Sequence, residues 1–151
     1  VDAAEWVGPY NDLTFGFHQV AKYYYYPGWH EPGSTLEIII NKDALMSLPK
    51  DLQAIMKYAA KAANQEMLDE YTARNNQALT ELTEKHNVKL RKLPDEVLIA
   101  LRDISEDVMI DFIEGDEMAT RVYNSYVAFK DQVINYHRIS EKAYIDTREL
   151  D

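Results

Sequence analysis

Apolar residues recur at spacings of three and four over most of the chain beyond residue 42, a period that is typical of amphipathic helices. One long helix is predicted to begin at Pro49 and to carry its apolar stripe as far as Leu82. Another is predicted from Pro94 to Gly115, and a short helical turn at 42–48 precedes both. The later part of the chain is therefore predicted to be largely helical.

A last helix is predicted from about Asp116 to near the C-terminus. Its apolar residues follow a four-three-four-three spacing, at Val122, Tyr126, Phe129, Val133 and Tyr136. Because that spacing is typical of a helix that packs along a partner helix, this segment is predicted to join two subunits in a homodimer.

The first 41 residues follow neither a helical nor a strand period and are rich in aromatic residues and turns. A helix capped by Asn11 or Asp12 is predicted after the short extended segment "EWVG". Strands are predicted at 35–41, which is rich in isoleucine, and around 88–90. Because two strands do not form a stable sheet alone, we expect part of the fold to lie outside the chain. The chain is predicted to have three parts, residues 1–41, 42–115 and 116–151.

Composition excludes several classes of protein. The chain has 151 residues, 46% hydrophobic and 28% charged, which suits one core of ordinary size. The net charge is −10 and no basic patch is present, so a nucleic-acid partner is not expected. No apolar run approaches the roughly 18 residues of a membrane span. Without cysteine the chain has no disulfide and no thiolate metal site.

Catalytic signatures are absent from the sequence. None of the four histidines belongs to an HExxH motif, and no glycine-rich phosphate loop or G-x-S-x-G elbow is present. His30 and Glu31 are neighbours in a segment predicted to be extended, so their side chains are expected to point to opposite faces. They do not suit the roles of a base and its orienting group, and we do not expect an enzyme.

The segment "YYYYPGWHEPG" at 23–33 concentrates aromatic residues, one carboxylate and two Pro-Gly turns. The tyrosines are typical of a strand that packs one face against a core and leaves its hydroxyl groups exposed to water. Glu31 lies between the turns, where a rigidly held carboxylate can bind a hard cation. A solvated loop acid remains the alternative from the residues alone.

Read together, "EWVGPYNDLTFGFHQVAKYYYYPGWHEPG" resembles the periplasmic solute-binding proteins of TRAP transporters, in the branch that binds 2-oxo acids and related small carboxylates. The segment "INKDALMSLPKDLQAIM" and the order of the last helices also fit that family. The resemblance covers essentially the whole chain, which would correspond to about the C-terminal half of such a protein. It implies an α/β fold, predominantly helical in this part, of the type II periplasmic binding class.

The resemblance also implies residue roles. Trp6 would offer its backbone carbonyl, and Glu31 its carboxylate, to a sodium or calcium ion that bridges to the ligand. Tyr10 would form a wall of the site, and His30 stands where an aromatic residue is common in relatives. An arginine for the ligand carboxylate and a glutamine metal ligand would lie earlier in the full protein. The family's further partner is the TRAP permease in the membrane.

A free-standing helical interaction module, with the last helix as its partner surface, is the alternative from another class. The two readings differ in one property, because a module without a ligand site would not be stabilised by a cation together with pyruvate.

Overall fold

The computed structural model describes residues 2–29, 31–33 and 36–150, apart from the side chain of Glu149. Packing divides the chain into two units, residues 1–94 and 95–151, and each is described by itself. The division into three parts at 41/42 and 115/116 stays a prediction.

The first unit combines helices with a two-stranded parallel sheet. Its elements are α1 (Pro9–Thr14), a 3-10 turn (Phe17–Gln19), β1 (Tyr23–Tyr26), α2 (Lys42–Ser47), α3 (Lys50–Glu84) and β2 (Lys89–Lys92). Strand register places Tyr23 opposite Lys89 and Tyr26 opposite Lys92. Parallel strands need a long crossover, and α2 and α3 supply it here.

The starts of α2 and α3 follow local sequence signals. Asn41 caps α2 by accepting a hydrogen bond from the backbone N–H of Ala44 at 2.9 Å. Pro49 is the N-cap of α3, and Asp51 places a negative charge in its first turn, where the helix dipole favours it. Both helices and the strand predicted near residue 88 are therefore confirmed, with boundaries moved by one or two residues.

Helix α1 begins earlier than the sequence suggested. Gly8 is its N-cap and Pro9 occupies the first turn, so the predicted caps, Asn11 and Asp12, lie inside the helix. Proline favours the first helical position because its φ is already helical and it has no N–H to satisfy there. The prediction of a cap at 11 or 12 is wrong for that reason.

The core of the first unit lies where α1, the end of α3 and the start of β2 meet. Among the described residues the buried apolar side chains are Ala78, Leu82 and Val88, and Asp12 is the buried charged residue. Helix α1 packs on α3, and the backbone N–H of Val88 donates to the Leu82 carbonyl at 3.0 Å. This small core lies between α1, which precedes β1, and the residues that lead from α3 into β2.

The predicted strand at 35–41 does not form in the described part of the chain. Residues 36–41 have no strand pairing, Ile39 is 86% exposed, and Thr35 lies outside the described residues. A strand needs a neighbour for its backbone groups, and the two described strands pair with each other instead. The β-branched pattern was therefore insufficient to predict a strand here.

The second unit is helical. Its elements are α4 (Asp95–Ile113), α5 (Glu117–Ile139), α6 (Glu141–Asp146) and a 3-10 turn (Thr147–Glu149). Gly115, with φ 78°, separates α4 from α5, and Asp116 caps α5 by accepting from Ala119 N at 2.9 Å. The helix predicted to continue toward the C-terminus breaks at Ser140, whose hydroxyl donates to the Tyr136 carbonyl at 2.9 Å. The break is a local change of backbone geometry, because Ser140 has a ψ of −104° and a helical residue has a ψ near about −42°.

Helix α5 exposes most of its predicted apolar stripe. Val122, Tyr126, Phe129 and Tyr136 are all exposed, with Phe129 at 65%. Pairing of this helix with a second subunit stays a prediction. Of the helices in the described ranges, none is both long and apolar enough to cross a membrane.

Candidate functional site

Trp6 lies in the irregular segment ahead of α1. Contacts connect this segment to both the start and the end of that helix. The Trp6 ring packs edge-on against Phe15, the C-cap of α1, with centroids 5.7 Å apart. Gly8, two residues after Trp6, accepts a hydrogen bond from Asp12 N at 2.9 Å. The indole ring is about half exposed, at 52%. The position of the Trp6 backbone therefore depends on α1; its role as a cation ligand stays a prediction.

Tyr10, the predicted wall residue, binds α3. Its hydroxyl donates to Glu70 Oε1 at 3.3 Å, and its ring meets Tyr71 edge-on with centroids 6.1 Å apart. Its backbone N–H donates to the side-chain oxygen of Asn75 at 3.0 Å, which satisfies one of the free donors at the start of α1. Tyr10 thereby fixes α1 on α3, while its contact with a ligand stays a prediction.

Glu31 lies in a compact loop that follows β1. The loop begins at a cis Tyr26–Pro27 peptide bond. A Cβ atom added at Gly28 would lie 3.4 Å from the Glu31 carbonyl oxygen and 3.7 Å from Pro32 Cα, so the backbone folds back on itself within a few residues. Glu31 is exposed in this loop, and His30 falls outside the described residues. The Glu31 role in cation binding is still a prediction.

A small cavity of about 70 Å³ lies in the first unit, beside Trp6. Its lining includes Asp12, His18, Tyr24 and Leu82. Ligand pockets commonly measure about 300–1,000 Å³, so this cavity is too small to be a complete site for a small organic acid. Asp12 of α1 and Tyr24 of β1 line this cavity together with the candidate ligand Trp6, and sequence reasoning had assigned these two residues no part in the site.

Asp12 and Tyr24 form a part-buried polar contact in this region. The Tyr24 hydroxyl donates to Asp12 Oδ2 at 2.5 Å, and Asp12 is 7% exposed. Burial raises the pKa of Asp12, the Tyr24 hydrogen bond acts against that shift, and the charge of Glu5 adds to it. Burial also raises the pKa of Tyr24, as do the hydrogen bond to Asp12 and its charge. The phenol therefore keeps its proton and remains the donor at neutral pH.

The rings of two histidines lie close together at a tilted angle, and one of them, His18, lines the same cavity. The rings of His18 and His86 have centroids 4.0 Å apart, and His86 Nε2 lies 3.8 Å from Glu81 Oε1. Within the described residues no group of three or more histidine, aspartate or glutamate side chains could hold a metal ion. A cation site at Trp6 and Glu31 would need backbone oxygens and additional donors.

Sequence comparison relates the chain to known extracellular proteins. Residues 1–116 match the family model described as bacterial extracellular solute-binding protein, family 7. Over 73 residues the chain is 52% identical to a monocarboxylate 2-oxoacid-binding periplasmic protein of Nostoc sp.. That alignment covers 48% of this chain and 20% of the Nostoc protein.

Three solved structures of TRAP solute-binding proteins are also similar. The Pseudoalteromonas atlantica protein, with bound sodium and pyruvate, is 37% identical at a TM-score of 0.87 and covers 94% of this chain. The Colwellia psychrerythraea protein, with bound calcium and pyruvate, is 38% identical at a TM-score of 0.88 and covers 95% of this chain. The Bordetella bronchiseptica protein is a mixed-occupancy dimer with calcium and picolinate in its bound site. It is 32% identical at a TM-score of 0.90 and covers 96% of this chain.

The chain spans 43%, 44% and 43% of those three structures respectively, which is less than half of each. Their likeness extends over nearly all of the chain described above. The predicted fold class is therefore confirmed: this is a predominantly helical α/β part of a type II periplasmic binding protein.

Proposed function

The chain belongs to the bacterial extracellular solute-binding protein family 7, and we propose that it is the C-terminal half of a periplasmic TRAP-transporter subunit that captures a small 2-oxo acid. The observation that carries this proposal is the likeness, at 37% and 38% identity, to two TRAP solute-binding proteins whose structures contain pyruvate and a cation. The identity of 52% to a 2-oxoacid-binding protein supports the same substrate class.

A cation solves an electrostatic problem in such a site. The ligand is an anion, and Glu31 would repel it unless a positive charge lay between them. Carboxylate and carbonyl oxygens suit hard cations, and the two pyruvate-bound relatives contain sodium in one case and calcium in the other. Glu31 and the Trp6 carbonyl would provide two of the ligands, and earlier parts of the full protein would provide the rest.

The local geometry supports these roles. Helix α1 holds the backbone around Trp6, and the loop closed between Gly28 and Glu31 limits the positions that the carboxylate can take. Tyr10 would line the site from α1, and His30 would modify ligand preference beside Glu31. Limited freedom lowers the entropy lost when a cation binds, which favours affinity.

Transport would require delivery of the ligand to a membrane permease after the two lobes close around it. The exposed stripe on α5 would pair two subunits, and the Bordetella relative is described as a dimer. Both partners and the periplasmic location are part of this proposal; family membership supports the permease and the location, and the Bordetella relative supports the dimer.

Calorimetry on the full-length protein tests the proposal. Pyruvate is titrated after removal of calcium with a chelator and exchange of sodium for choline, and again after each cation is restored. We expect binding with sodium or calcium present and greatly weakened binding without them. The uncharged methyl ester of pyruvate is the control and should bind weakly in every condition.

Absence of pyruvate binding under all cation conditions would contradict the proposal. If a broader screen of 2-oxo and 2-hydroxy acids also gave no binding, a helical interaction module would be the better account. Pyruvate binding that does not depend on cations would contradict the bridging role of the ion but would still support the proposed substrate class.

A further inference from the structure

One side-chain hydrogen bond joins the elements that support the two proposed cation ligands. Trp6 lies ahead of α1, Glu31 lies in the loop after β1, and the Tyr24 hydroxyl of β1 donates to Asp12 Oδ2 of α1 at 2.5 Å. We propose that this hydrogen bond sets the spacing between the Trp6 carbonyl and the Glu31 carboxylate. Asp12 and Tyr24 would then be positioning residues for the cation, an inference that rests on the proposed function.

On the side of α1, Asp12 is tied to the Trp6 segment. Its backbone N–H bonds the Gly8 carbonyl at 2.9 Å, two residues beyond Trp6. The Trp6 ring packs on Phe15 at the other end of the same short helix. A displacement of Asp12 is therefore transmitted to the Trp6 backbone, since the segment and the helix are attached at both ends.

On the side of β1, Tyr24 is tied to the Glu31 loop. The strand pairs with β2 along its whole length, and the Tyr26 carbonyl accepts from Leu93 N at 2.8 Å. The loop begins at the next residue and returns so that the Glu31 carbonyl lies against Gly28. The strand is thus the base from which the loop presents Glu31.

The hydrogen bond has the properties of a strong and specific contact. A separation of 2.5 Å is typical of hydroxyl-to-carboxylate bonds, which are about twice as strong as neutral ones. Asp12 is buried, and a hydrogen bond is stronger where water is excluded. The second oxygen, Oδ1, has no partner among the described residues, so loss of Tyr24 would leave the carboxylate without a described side-chain donor.

Other contacts would keep the elements folded when this bond is removed. Tyr10 and Asn75 still attach α1 to α3, and the backbone ladder still attaches β1 to β2. Removal of the Tyr24 hydroxyl should therefore loosen the spacing between the two ligands more than it weakens the fold. Cation affinity and thermal stability can be measured separately to distinguish these effects.

Cation titrations by calorimetry on the full-length protein, with pyruvate in excess, test the inference. Tyr24→Phe should weaken the apparent cation affinity about tenfold, the scale seen when groups that orient metal ligands are lost. The matched control is Tyr25→Phe, which deletes the same hydroxyl from an exposed neighbour on β1 and should bind like wild type. Asp12→Asn retains an acceptor for Tyr24, so its affinity should lie closer to wild type.

A double variant separates positioning from independent damage. Because both changes remove the same bond, Asp12→Ala combined with Tyr24→Phe should bind the cation no more weakly than the weaker single variant. Circular dichroism confirms folding at the titration temperature. If Tyr24→Phe does not fold, Asp12→Ala measured below its unfolding temperature provides the same comparison.

Equal cation affinities for folded Tyr24→Phe and Tyr25→Phe would overturn the inference, as would additive losses in the double variant. A wild-type protein that shows no cation-dependent pyruvate binding would instead refute the proposed function, and the inference with it. The wild-type titration thus distinguishes the two failures.

Discussion

Asn75 provides a cap for α1 from a distant part of the chain. Gly8, the N-cap residue, has no side chain to accept a hydrogen bond from the first turn. The side-chain oxygen of Asn75 in α3 accepts instead from Tyr10 N at 3.0 Å, across 65 residues of sequence. Replacement of Asn75 by alanine should therefore destabilise α1 although the substitution lies in another helix.

The magnitude follows from two opposing contributions. Loss of a capping acceptor costs about 1 kcal/mol, within a range of roughly 0.5–2 kcal/mol. Alanine favours the interior of α3 over asparagine by about 0.5 kcal/mol. The control Asn76→Ala, at the adjacent exposed position, makes the same propensity change without the cap. Asn75→Ala should therefore be less stable than Asn76→Ala by about 1 kcal/mol.

Equilibrium urea denaturation of the full-length variants, followed by circular dichroism, measures this difference. Asn75→Asp retains an acceptor oxygen and adds a negative charge near the start of α1, so it should recover the wild-type stability. Equal unfolding free energies for Asn75→Ala and Asn76→Ala would refute the capping argument, because the two changes differ in that contact.

Three further predictions concern stability and use the same denaturation assay. Burial raises the pKa of Asp12 above 3.8. The difference in unfolding free energy between wild type and Asp12→Asn should therefore favour wild type most below pH 3.8 and decrease as the pH rises through the folded-state pKa. A difference in unfolding free energy that does not change with pH would contradict this. Gly115→Ala should cost about 1–2 kcal/mol because φ is 78°, whereas Gly33→Ala, where no left-handed φ occurs, should be near neutral. Leu82→Ala should cost about 2–5 kcal/mol because Leu82 is 2% exposed, and the exposed control Leu68→Ala should cost much less; equal losses would contradict the assigned core.

Local signals were sufficient to predict the later helices. Pro49 marks the start of α3, and Pro94 and Gly115 bracket α4. Each signal acts through backbone geometry or capping within a few residues, which a sequence pattern can express. The break at Ser140 was missed because the surrounding apolar spacing continues without a proline or glycine.

Contacts between distant residues explain most of the errors and omissions. A hydrogen-bond acceptor for the first turn of α1 comes from Asn75, and the hydrogen-bond partner of the buried Asp12 is Tyr24, twelve positions away in β1. No local pattern encodes either pair. The predicted strand at 35–41 depends on a neighbouring strand, and this requirement is also non-local. The site residues Trp6 and Glu31 came from the family resemblance, and their roles stay predictions.

The central claim is that Glu31 holds a cation that in turn holds the acid. Calorimetric titration of pyruvate into full-length Glu31→Gln, with sodium or calcium in excess, tests it most directly, with Glu37→Gln as the control at a nearby exposed position. Loss of a group that only orients a metal ligand weakens metal binding about 10–100-fold, and Glu31 would be a ligand itself, so the account predicts an affinity lowered about 100-fold or more for Glu31→Gln and unchanged for Glu37→Gln. Wild-type affinity in a folded Glu31→Gln protein would contradict the account.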